Sequence, residues 1–218
     1  MSKKNINIIK KVNFEENMVQ NENLILGICG SPRNQGTEYA VQYALKYASD
    51  KFGFEKEFWT VRGKNIKFCL NCEYCIREKK GCIQVDDIKD LYLLLEKAKF
   101  LLVGTPVFQG TLSGQIKTVF DRCRALVAKN PEVFKNKIGA ALAVGGDRTG
   151  GVEIAIRSIL DFYQQNHVIC VSGGAFGANL GASLWSRDIG KQGVEQDEEG
   201  LKSIRKVIKR LAEFKNIK

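Results

Sequence analysis

A single histidine, His167, and only three prolines occur among the 218 residues. His167 falls at the start of an apolar stretch, away from the glycine-rich loops. No acid–base partner constellation can be named for it, and it reads as structural. No Pro/Ser-rich linker, internal repeat or low-complexity segment divides the chain. One domain over residues 23–218, with an extension over residues 1–22, is therefore the expectation. No apolar run approaches the roughly 20 residues that span a bilayer. The start, MSKKNINIIKKVNFEENMVQNEN, breaks its apolar run with Asn and Lys and has no signal-peptide core or cleavage site. A cytoplasmic location without membrane attachment is expected, and there a disulfide framework is not.

What is present is a chain with 44% hydrophobic residues, enough for a full α/β core, and a net charge of +10. The lysines are dispersed and do not alternate with aromatics, which argues against nucleic-acid binding. The excess charge suits a solvated surface, or attraction for anionic cofactors or an acidic electron carrier.

Leu24–Gly30 is a continuous apolar run ending in glycine, the pattern of a buried strand. Ala40, Val41, Ala44, Leu45 and Ala48 follow at helical spacing. Residues 54–61 suggest a second strand. After a cysteine-rich loop, Asp86 or Asp87 caps a helix, residues 100–107 form a third strand, and Ser113 caps a helix over 113–128. Residues 138–146 and 167–174 read as strands four and five, 151–166 as the helix between them, and 197–214 as a closing helix. This alternation specifies an α/β, doubly wound parallel sheet. Ligands bind such sheets at the carboxyl ends of the strands, where the strand order reverses.

The first carboxyl-end loop, CGSPRNQGTEYA, runs straight from strand to helix. Free N–H groups and the helix dipole can take a phosphate there, with Ser31, Thr37 and Arg33 adding donors. An ordinary βα turn has similar composition. The loop has neither Gly-Lys-Ser/Thr nor G-x-G-x-x-G, which sets aside a nucleoside-triphosphate loop and a dinucleotide fingerprint.

GSPRNQGTEYA at the first strand and GTPVFQGTLSGQIKTVFDRC at the third resemble the flavodoxin-like NADPH-dependent FMN reductase superfamily. The cysteine loop resembles that of its iron–sulfur flavoproteins. The resemblance spans about residues 24–214 and implies a five-stranded sheet of order 2-1-3-4-5 with a cysteine-rich insertion and FMN across its edge. It implies that Ser31, Arg33, Asn34, Gly36 and Thr37 hold the FMN phosphate. Pro106, Val107, Phe108, Gln109 and Gly110 would run along the flavin ring, with Gly145, Gly146, Asp147, Gly150 and Gly151 near it. One departure stands out. Where the family often has Gly-Asn-Thr, this chain has Gly36-Thr37-Glu38, so either Thr37 supplies the hydroxyl or Glu38 faces away from the anion.

Four of the seven cysteines, Cys69, Cys72, Cys75 and Cys82, lie within CLNCEYCIREKKGC. Two-residue gaps let three thiolates turn toward one centre, and Gly81 lets the chain return with a fourth. That pattern suits a [4Fe–4S] cluster better than zinc, which more often takes two separated C-x2-C knuckles. An empty cysteine loop is the other reading. Cys29, Cys123 and Cys170 sit in apolar patterns and read as packing residues.

FMN carries the redox chemistry, so no separate catalytic residue is expected. The leading reading is an FMN-dependent electron-transfer oxidoreductase with a [4Fe–4S] cluster. The resemblance implies ferredoxin as the one-electron partner and a homodimer or homotetramer. The alternatives are an NAD(P)H-dependent FMN or quinone reductase without a working cluster, and a non-catalytic metal- or flavin-binding regulatory module.

Overall fold

The computed structural model describes residues 20–216. Residues 1–19, most of the expected extension, lie outside the described residues. The first strand, β1 (Asn21–Cys29), takes in the last two residues of that expected extension. It is followed by α1 (Gly36–Phe52), β2 (Glu55–Thr60), α2 (Tyr74–Glu78), α3 (Ile88–Lys97) and β3 (Ala98–Pro106). Next come α4 (Gly114–Arg122), α5 (Arg124–Lys129), β4 (Ile138–Gly145) and α6 (Val152–Gln165). The chain closes with β5 (Ile169–Val171), β6 (Ala182–Trp185), α7 (Lys191–Glu195), α8 (Glu198–Ala212) and a 3-10 turn at Glu213–Asn216.

The strands pair in parallel in the order β2-β1-β3-β4-β5, as the resemblance implied. β1, β3 and β4 are buried on both faces, which is why they read as unbroken apolar runs. Successive residues alternate faces. Leu24, Leu26 and Ile28 join a core with Leu91, Ile116 and Ile156 from α3, α4 and α6. Ile25 and Cys29 join the opposite core with Ala44 of α1 and Val207 of α8.

The expected single fifth strand over 167–174 is corrected to two short strands in succession. β5 pairs with Ile138–Ala140 of β4, and β6 with Leu142–Gly145 further along it. Between them the chain leaves the sheet through Gly174, Phe176 and Gly177, all at positive φ. Among the described residues the sheet therefore has six strands, the five in the expected order with β6 added beside β4. His167 lies in the turn after α6, at φ 59°, remote from the carboxyl edge. The helix expected over 113–128 is broken at Cys123, whose N–H is shared between Val119 and Phe120 carbonyls. Ser113 caps it as expected, its Oγ accepting from the Ile116 N–H at 3.3 Å.

Candidate functional site

The loop from β1 to α1 is held from below. Gly30 N–H donates to the Gly104 carbonyl at 2.7 Å, and Ser113 Oγ–H donates to the Gly30 carbonyl at 2.6 Å. Ser31 is buried, and its Oγ accepts from Arg33 N–H at 3.1 Å. Among the described residues no side chain caps α1. Its first intrahelical donor is Tyr39 N–H to the Gln35 carbonyl, which leaves the N–H groups of Gly36, Thr37 and Glu38 free of protein acceptors among the described residues. An open, uncapped helix start beside buried Ser31 and Thr37 can hold a phosphate. Arg33 and Asn34 lie exposed at its rim. A side chain at Gly36 would strike Val194, so glycine is needed where α7 closes over the loop.

Glu38, the departure noted in the sequence, is buried in the first turn of α1 and paired with Arg62. Both its oxygens accept from Arg62, at 3.0 Å each. Burial, with Glu38 close by, pushes the neighbouring Cys29 thiol up to about 11. Burial likewise pushes Cys123 up to about 12. Both are held as thiols and act as packing residues; Cys170 is half-buried.

Beyond Pro106, Val107 N–H donates to the Val144 carbonyl at 2.9 Å. Phe108 and Thr111 exchange backbone bonds around Gln109 (φ 49°) and Gly110 (φ 81°). Two positive φ values in a row make a tight two-residue turn. Phe108 projects half-exposed beside it. The loop after β4 meets this turn directly, since a Cβ on Gly151 would lie 2.5 Å from the Gly110 carbonyl oxygen. Gly145 and Gly146 are held by the segment after β6: Gly145 O accepts from Ser186 N–H at 2.8 Å, and Gly146 abuts the Asp188 carboxylate. Asp147 and Gly150 are exposed. The residues expected to face the flavin are thus gathered at one edge.

Three contributors to that edge were not foreseen. The segment 186–190 touches both the Gly146 loop and, through Gly190 and Lys191, the Gln35 side chain. Its signal was the short alternating run ASLW before turn residues. Arg148 and Arg187 both stack over Trp185, each 4.7 Å from the ring centre. Arg62, 24 residues from its partner Glu38, left no sequence signal.

The cysteine loop leaves the body through a closed neck. Asn65 and Asp87, Lys67 and Asp86, and Phe68 and Gln84 are hydrogen-bonded across it. Arg122 of α4 donates to the Lys67 carbonyl and to both Asp86 oxygens. Burial raises the Asp86 carboxyl, but the Arg122 and Lys67 donors outweigh it and hold it below its ordinary range. Beyond the neck, Asn71, Glu73 and Lys79 all have positive φ, and Arg124 of α5 holds Asn71 and Glu73. Cys69 and Cys72 are exposed, Cys75 and Cys82 half-buried. The donor set, four thiols on one loop, suits an iron–sulfur cluster or zinc. Their arrangement does not yet form a site. Among the described residues no three His, Cys, Asp or Glu side chains stand close enough to hold a metal ion.

A parallel sheet of this order, with an open helix start and two glycine turns meeting at its carboxyl edge, is the framework of a flavodoxin-like protein. The solved structure of a flavodoxin, WrbA-like protein from Agrobacterium tumefaciens shares that fold, with a TM-score of 0.61 at 13% identity over 88% of this chain and 96% of that one. A family model described as NADPH-dependent FMN reductase matches residues 24–182. An iron-sulfur flavoprotein from Methanocaldococcus jannaschii is 54% identical over 87% of this chain and 95% of its own length. Another, from Archaeoglobus fulgidus, is 53% identical over 88% and 96%. The chain belongs to the NADPH-dependent FMN reductase family, among its iron–sulfur flavoproteins, and is an FMN-dependent oxidoreductase. That sets aside the reading as a non-catalytic module. No helix among the described residues is long and apolar enough to cross a membrane.

Proposed function

We propose that the protein transfers electrons between a one-electron carrier and an acceptor through FMN and a [4Fe–4S] cluster held by Cys69, Cys72, Cys75 and Cys82. FMN, when bound, exchanges electrons singly or in pairs, and the cluster passes them one at a time. The observation that carries this reading is the cysteine loop itself: four thiols beyond a buried neck, in a chain whose relatives are named iron-sulfur flavoproteins. Among the protein's own groups, Ser31, Thr37 and the N–H groups of α1 would hold the phosphate, with Arg33 and Asn34 at its rim. Pro106–Gly110 and the Gly145–Gly151 loop would support the ring.

The carrier is a ferredoxin-like acidic protein, which the charge of +10 would steer. The protein would act in the cytoplasm as a homodimer or homotetramer. In support, Phe68, Leu70, Ile76, Ile83 and Val85 are exposed on and around the cysteine loop, an apolar surface suited to a second copy. A second reading, an NAD(P)H-dependent FMN or quinone reductase with an empty cysteine loop, is favoured by the ungathered thiols. Anaerobic purification with a visible spectrum and iron assay separates the two. Flavin bands with a broad shoulder near ~400 nm that dithionite bleaches mark flavin plus cluster, whereas flavin bands alone after reconstitution leave the reductase.

A further inference from the structure

Glu38 is an odd residue for a phosphate site. It is the acidic residue of the first turn of α1, and its side chain is 4% exposed. A carboxylate there competes with an incoming anion for the positive helix end and repels it. Arg62, from the turn after β2, answers that charge. Its Nε donates to Oε2 and its Nη2 to Oε1, both at 3.0 Å, a fork that engages both carboxylate oxygens. Arg62 is itself held at its backbone, its N–H donating to Thr60 Oγ at 3.2 Å.

We propose that Arg62 is a positioning residue for the cofactor: by engaging both oxygens of Glu38 it neutralises the first turn of α1 and keeps that helix start open to the flavin phosphate. This rests on the assignment of the phosphate to the Ser31–Thr37 loop. Arg62 acts through Glu38 and not as a phosphate ligand, so its importance should vanish once Glu38 carries no charge.

The full-length protein, stripped of flavin, is titrated with FMN and with riboflavin by fluorescence quenching, as parent, Arg62→Gln, Glu38→Gln and the double variant. Arg62→Gln should weaken FMN roughly tenfold or more, the scale of a nearby like charge, and leave riboflavin nearly unchanged. The double variant should regain most of the FMN affinity, and Glu38→Gln alone should bind FMN at least as well as the parent. A double variant as weak as Arg62→Gln would overturn the proposal and make Arg62 a direct ligand. Equal losses for FMN and riboflavin would overturn it in favour of a purely structural pair. If Arg62→Gln fails to fold, the double variant, with no unpaired charge, decides: near-parental FMN affinity supports the proposal and its loss overturns it. A parent that binds both flavins equally removes the phosphate assignment, and the proposal falls with it.

Discussion

Arg122 and Asp86 meet through two bonds, Nη1 to Oδ2 at 2.6 Å and Nη2 to Oδ1 at 3.2 Å, with both side chains withdrawn from solvent. The pair joins α4 to the exit of the cysteine loop, and the same Nη1 binds the carbonyl of Lys67 at its entrance. Among the described residues the Arg122 Nε has no partner, so the guanidinium is only partly satisfied there. A buried pair of this kind is weak evidence for net stability, but breaking it leaves the buried Asp86 carboxylate without its counter-charge, held only by the Lys67 and Ile88 N–H donors.

Arg122→Met should therefore cost about 3–5 kcal/mol in chemical denaturation, since Asp86 is left charged and unpaired. Arg122→Met with Asp86→Asn should recover much of that loss. Trypsin should cut Arg122→Met first at Arg77, Lys79 or Lys80, because the neck no longer ties both ends of the loop. Cleavage spread evenly over the chain would contradict the neck's role.

Gly151 and Gly110 should respond differently to alanine. At Gly151 the new Cβ would lie 2.5 Å from the Gly110 carbonyl oxygen, at a φ of 106°. At Gly110 the new Cβ meets nothing within 4 Å among the described residues, where the left-handed φ of 81° opposes it. Gly110→Ala should cost about 1–2 kcal/mol, and Gly151→Ala more, with a larger fall in flavin occupancy. Thermal melts with flavin content per chain test the order.

Lys137 is buried at the foot of the sheet, its Nζ donating to the carbonyls of Ala98 and, at 3.3 Å, Glu96. Burial, with Lys99 nearby, pulls its ammonium down to about 8 from 10.5. Below about 8 both folded and unfolded chains are protonated, and the native state bears the burial cost in full. Between about 8 and 10.5 only the unfolded chain keeps the proton, so this group's contribution to stability rises with pH. Cys29 and Cys123 act oppositely: their raised thiols favour the fold below 9, and that contribution is lost toward about 11 and 12. Comparing parent with Lys137→Met cancels the cysteines. The parent's stability relative to that variant should climb across the window, by at most about 1.4 kcal/mol per pH unit. A flat difference in urea midpoints would refute the assignment.

Much of this frame is written in local pattern. β1, β3 and β4 are legible as unbroken apolar runs because both sheet faces are covered, and α1 because Ala40, Ala44 and Ala48 share one face. Ser113 is legible as a cap because its role is local. β6 was hidden because four residues with alternate burial look like any loop after a glycine run. The pairs Arg62–Glu38 and Arg122–Asp86 were hidden because they join residues 24 and 36 apart, brought together only by the winding of the sheet. The cysteine spacing was plain in the sequence, yet the fold leaves those four thiols ungathered.

The last expectation concerns those thiols. If Cys69, Cys72, Cys75 and Cys82 ligate one [4Fe–4S] cluster, the loop must draw them together when iron and sulfide arrive. Its backbone has room to do so: Asn71, Glu73 and Lys79 hold positive φ at a cost that rearrangement can release. Replacing any one cysteine by Ser should strip or destabilise the cluster, because a hydroxyl is a harder and less acidic ligand for iron. FMN should stay, since the loop proposed to hold its phosphate follows β1 and shares no residue with the cysteine loop. Each variant should still be reduced at the flavin by a direct reductant and take electrons poorly from a one-electron donor. Cys29→Ala or Cys123→Ala should keep its iron, because those thiols are buried in the two cores away from the loop. Iron and acid-labile sulfide per chain, measured anaerobically after reconstitution, decide the matter. About four of each in the parent, with clear loss in all four loop variants, is the cubane outcome. A parent that takes up no iron leaves the flavin reductase with an empty loop.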